Sequence, residues 1–87
     1  MNLADAKSQF RSIVEQHGGG RPLDATTRAS ALADLAHIHR LAMRKIDRFT
    51  AEQRGRRSAF LATNERNGLV SKLDRLHAAA KADLGLD

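Results

Sequence analysis

The chain has 87 residues, a net charge of +5 and no cysteine. At this length one domain is expected, and it buries only about 60–65% of the surface its unfolded chain exposes, so its core is thin. Disulfides and thiolate metal sites are excluded, and with no apolar run longer than four residues so is a membrane-spanning helix of ~20.

Apolar residues recur with helical spacing throughout, and no stretch alternates with the period of a strand. In the first segment, about 3–17, Leu3, Ala6, Phe10, Ile13, Val14 and His17 fall on one face. Asn2 is placed to cap its start, and Asp5 suits the positive end of the helix dipole. The triglycine Gly18–Gly20 ends it, because glycine enters the left-handed conformation that helix exits favour. Pro22 restarts the chain outside a helix, with Asp24 or Thr26 as the next cap.

A second helix is expected over 25–49, with a core face of Leu32, Leu35, Ile38, His39, Ala42, Met43, Ile46 and Phe49. Thr50-Ala51-Glu52-Gln53 fits a capping box and predicts a boundary at Phe49–Thr50. The rival is one unbroken helix through this point, since neither Pro nor Gly intervenes between Leu23 and Arg54. Beyond it, segments 51–66 and 69–84 share a small-residue stripe through Ala51, Gly55, Ala59, Ala62, Leu69, Leu73, Leu76 and Ala80. Asn67-Gly68 is a turn dipeptide, so a kink or break is expected there. The fold class predicted is all-α: a small three-helix bundle, a short N-terminal helix packed on a long helical hairpin. The thin core also makes a homodimer plausible, sharing the Ala59/Ala62/Leu69/Leu73 seam.

The charge is unevenly placed. Arg40, Arg44, Lys45, Arg48, Arg54, Arg56 and Arg57 stand against only Asp47 and Glu52 in the window 40–57. The remaining eight cations and eight acids cancel, so the whole net charge lies in that window. Arg40, Arg44 and Arg48 recur every four residues and form one stripe, with His37 adjoining. With a reversal at Phe49–Thr50, Arg54, Arg56 and Arg57 open the third helix, splayed and opposing its dipole, near Lys45 and Arg48. The expectation is a cationic knob at a hairpin tip. Six of its seven cations are arginines, whose planar forks suit phosphate or carboxylate.

Other chemistry is weakly supported. No nucleophile motif, HExxH pattern or P-loop occurs, so neither an enzyme nor a cofactor is expected. His17, His39 and His77 lie on the apolar faces of three different helices and could meet around a zinc ion, although hydrogen-bonded boundary rings are the commoner use of such residues. The opening "MNLADAKSQF" lacks the basic-then-apolar order of a signal peptide, and a cytoplasmic protein without a membrane partner is expected. The knob has three readings: contact with nucleic acid or nucleoprotein, an inhibitor or adaptor docking on an acidic protein surface, or an ordinary solvated face. Without Trp or Tyr, and with the three Phe expected mostly in the core, no platform for stacking bases is foreseen.

Overall fold

The computed structural model describes residues 1–18 and 22–86. Three helices follow one another: α1 (Ala4–Gln16), α2 (Ala25–Arg54) and α3 (Ala59–Asp83). No strand occurs among the described residues, and the fold is the all-α three-helix bundle that the apolar spacing predicts.

The outer ends form as the sequence implies. The Ala4 N–H donates to Asn2 Oδ1 at 3.1 Å. The α1 exit passes through His17 to Gly18 at φ 77°, a conformation that costs a β-carbon-free residue nothing. The other two glycines of the triplet, Gly19 and Gly20, lie outside the described residues. Asp24 caps α2, accepting from the Thr27 N–H at 2.7 Å, and that bond holds its carboxyl below the usual range.

Both expected interior boundaries are corrected. The second helix does not stop at Phe49 but continues to Arg54, giving 30 residues and about 45 Å of rod. That rod sets the 48 Å long axis of the molecule. Thr50 is a buried mid-helix residue whose hydroxyl donates to the Ile46 carbonyl at 2.8 Å. A threonine can satisfy itself on the preceding turn in this way, so the capping-box pattern alone carries no stop signal. The reversal comes at Gly55–Ser58. There the Arg56 and Arg57 N–H groups fold back on the Gln53 carbonyl at 3.0 and 2.7 Å. Ser58 then caps α3 by accepting from the Leu61 N–H at 3.2 Å.

The expected break at Asn67–Gly68 is absent, and α3 runs through it as one helix. Leu69 and Leu73 are buried immediately beyond the dipeptide and Ala62 before it. Packing on both sides overrides the local turn preference of two residues. A β-carbon on Gly68 would meet nothing within 4 Å, so no close approach requires the glycine.

α2 and α3 run antiparallel: His39 meets Asp74, Asp47 meets Arg66, and Arg54 meets Thr63, in opposite order along the two helices. α1 lies against both, antiparallel to α2, with its start beside Leu41 and Ala42 and its end beside Asp34. Phe10, Leu35, Ile38, Ile46, Leu69 and Leu73 are the bulk of the buried core, filled out by alanines. Leu32, expected inside, is 36% exposed. With 13 residues, or about 20 Å, α1 covers less than half of the hairpin. The core cluster therefore ends at Ile46 and Leu69, with Phe49 packed on its edge. Past that point the hairpin projects as two helices, with only Thr50 and Ala62 buried.

The seam expected to pair two copies is already used. Ala62, Leu69 and Leu73 are buried within the chain, Leu73 completely. A homodimer cannot form through those side chains without opening the bundle.

Candidate functional site

The seven cations of the window do not gather into one knob. Arg40, Arg44 and Arg48 are exposed on the outer face of α2, opposite Ile38, Ala42 and Ile46. Each step of four residues advances about 6 Å along the axis. None of the three makes an ion pair among the described residues. Asp47, which follows Arg44 by three residues, is turned toward α3 and pairs with Arg66 there, Nε–Oδ1 at 2.9 Å.

Lys45 turns away from the stripe. It lines the groove where α2 meets the start of α1, with Asn2, Asp5 and Gln9.

Arg54, Arg56 and Arg57 lie about 20 Å or more beyond Arg40 along the rod. They do not open the third helix as expected; they precede it. Arg54 ends α2, where the helix dipole favours a cation, and its Nη2 donates to Thr63 Oγ1 at 3.5 Å. The local penalty inferred from a helix-opening position therefore does not apply to Arg54. Arg56 sits in the turn, exposed, with no ion pair. Arg57 Nη1 pairs with Glu65 Oε2 at 2.9 Å. Both ends of that pair are solvated, so it orients the guanidinium more than it neutralises it.

Two apolar residues stand among these cations. Phe60 is 73% exposed and Leu61 46%. Of the three phenylalanines, Phe10 is buried in the core and Phe49 packs on its edge, which leaves Phe60 without a packing role. Two of the three aromatics are thus taken up by the core, as expected, and Phe60 is the exception. The signal was present: at 100° per residue Phe60 lies about 140° around α3 from buried Leu73.

The histidines divide differently from the expected triad. His17 Nε2 lies 3.5 Å from Asp34 Oδ2 at one end of α1. His39 and His77 meet in the centre with ring centroids 5.0 Å apart, and Phe10 stacks on the other side of His77 at 5.6 Å and 13°. Each helix thus gives one ring to a short stack. His39 Nε2 reaches Asp74 Oδ1 at 2.9 Å. His77 Nε2 is buried with no hydrogen-bond partner. Burial pushes the His77 pKa down; Lys81 and His39 add to this, and Asp74 opposes it. No group of three metal-ligating side chains converges among the described residues, so the His17/His39/His77 zinc site is not formed.

No protein-family model, curated protein or solved structure matches this chain.

Proposed function

We propose that the chain is a small binding protein that contacts nucleic acid through the outer face of α2 and the projecting tip of its α2–α3 hairpin. Arg40, Arg44 and Arg48 take successive backbone phosphates along α2, and Arg54, Arg56 and Arg57 take those at the tip. The observation that carries this reading is the exposure of all six arginines, Arg40, Arg44 and Arg48 on the outer face of α2 and Arg54, Arg56 and Arg57 at the tip that α1 does not reach, with the whole net charge of the chain in the same window. Phosphate contact needs neither a deep pocket nor a fixed base sequence, only exposed cations at suitable spacing.

The bundle is only 18 × 15 Å across its short axes. A tip of that section met end-on falls well short of the roughly 800 Å² per partner of a standard protein interface. A flexible polyanion that runs along the rod is not limited in this way.

Fluorescence anisotropy with a labelled 20-nucleotide single strand tests the reading. Binding is expected at low salt, and the Arg54→Glu/Arg56→Glu variant is expected to weaken it by tenfold or more, since about 1.4 kcal/mol is a factor of ten. Both positions are exposed, so the variant keeps its fold. Absence of binding by the wild type at low salt overturns the proposal.

A further inference from the structure

We infer that the tip is built for single-stranded nucleic acid, with Phe60 as the surface on which one base stacks. The inference rests on the functional reading above and sharpens it.

Three observations carry it. Phe60 presents 73% of its surface to water, although its place in the first turn of α3 asks nothing of an aromatic ring. Ala59 and Leu61 on either side of it are exposed too, so this turn of α3 lies outside the core. The ring also has charged company on its own side. Phe60 and Thr63 are one turn apart on the same face of α3, and Thr63 is the residue that Arg54 contacts. A guanidinium is therefore held on the face where the ring stands, and Arg56 lies in the turn just before it.

A single aromatic flanked by arginines matches what a single strand offers. Its bases are unpaired and present π-faces of any sequence, while its phosphates lie within reach of the flanking cations. A duplex keeps its bases stacked on one another and leaves the ring nothing but a solvated backbone. The Arg40–Arg44–Arg48 stripe continues the cationic track away from Phe60 with a rise of about 6 Å per residue pair. Leu61, on the neighbouring face, lies one turn from Glu65, which orients Arg57. It gives a second, weaker apolar contact for the adjoining sugar or base.

The experiment compares wild type, Phe60→Ala and Phe60→Trp. The chain has no Trp or Tyr, so the introduced indole is the only strong fluorophore. Probes are oligo(dT), oligo(U), a blunt DNA duplex of equal charge, poly-glutamate, and vesicles containing phosphatidylserine. Phe60→Ala is expected to weaken oligo(dT) or oligo(U) about 5- to 150-fold, as the loss of one base stack does, and to change duplex binding less than twofold. The indole of Phe60→Trp is expected to be quenched by either single strand and unchanged by duplex. A preference between oligo(dT) and oligo(U) assigns DNA or RNA, and either supports the inference.

Equal loss on single strand and duplex, or no loss on either, overturns the stacking role while leaving phosphate binding in place. Binding of poly-glutamate that depends on Phe60 as strongly as oligo(dT) does overturns it in favour of an acidic protein surface. A blue-shifted indole on vesicles, without quenching by oligonucleotides, overturns it in favour of a membrane. Failure of the wild type to bind any nucleic acid overturns the functional reading itself.

Discussion

Replacing His77 by phenylalanine should make the protein more stable and remove part of its sensitivity to acid. His77 stacks on Phe10 and touches His39, so its ring does apolar work, yet Nε2 is buried without a partner. A buried polar atom left unpaired costs about 1–3 kcal/mol, and an apolar ring of similar shape removes that cost. Part is returned because Phe is the larger ring and must be accommodated. A net gain of about 1 kcal/mol is therefore expected at pH 7.5, which raises Tm by roughly 4–8 °C in a domain of this size.

The pH dependence is the cleaner signal, because a fixed packing change cancels in it. The folded-state pKa of His77 lies below the ordinary value of 6.5. Well above pH 6.5 the ring is neutral in both states and contributes no slope. Below it the unfolded chain binds a proton that the folded chain resists, so wild-type stability falls as the pH drops from about 7 through the histidine range. Phe60 and the cationic tip are remote from this site and do not enter. Urea unfolding of wild type and His77→Phe at pH 7.5 and 5.5 measures both quantities. The variant should be more stable at each pH, with the larger advantage at 5.5. Equal pH slopes in the two proteins would show that His77 is not a strained, neutral ring, and would refute the reasoning.

Gly68→Ala should stabilise by about 0.5–1 kcal/mol, since the position is an exposed helix interior with open space around it; loss of stability in thermal melts would restore the broken helix. Ser58→Ala should cost about 1 kcal/mol as the loss of a cap. Thr50→Val should change stability by less than about 0.5 kcal/mol, because its hydroxyl only duplicates a bond on the Ile46 carbonyl. The reverse order of these two in chemical denaturation would place the chain reversal at Thr50 after all. Leu73→Ala removes a fully buried side chain from the centre of the bundle, and the expected 2–5 kcal/mol is a large share of the roughly 4–13 kcal/mol available to 87 residues. Circular dichroism at 37 °C should show a marked loss of helix.

What the sequence discloses follows its periodicity. Leu3, Ala6, Phe10, Leu35, Ile38, Ala42, Ile46, Leu69 and Leu73 all face the interior as the 3.6-residue repeat places them. Caps that stand at a true interruption are legible too: Asp24 follows Pro22, and Asn2 precedes the first apolar face. The interior boundaries are not legible, because two local patterns compete there with tertiary packing. Thr50-Ala-Glu-Gln resembles a cap more closely than Ser58-Ala-Phe-Leu does, yet Thr50 is buried against the partner helix and Ser58 is not. Asn67-Gly68 resembles a turn, yet the leucines after it are committed to the core.

The misplaced reversal displaced the site as well. It puts Arg54, Arg56 and Arg57 inside a helix, whereas Arg54 ends α2 and the other two lie in the turn before α3. The stripe Arg40–Arg44–Arg48 was immune to the error, because its placement depends on α2 alone. The histidines show a further limit. Periodicity puts three rings on three inward faces but not at one height, and His17 stands with Asp34 at the end of α1, two turns beyond Phe10, where His39 and His77 meet.

The central claim is that the arginines of the hairpin take the phosphates of a nucleic-acid strand, and the salt dependence of binding tests it most directly. Each phosphate neutralised on a single strand contributes about −0.7 to the slope of log K against log salt. With five or so of the six arginines engaged, a slope of roughly −3 to −4 is expected for wild type on oligo(dT). The triple variant Arg40→Ala/Arg44→Ala/Arg48→Ala should flatten it by about 2. No binding at about 50 mM salt, or an unchanged slope in the triple variant, would contradict the account.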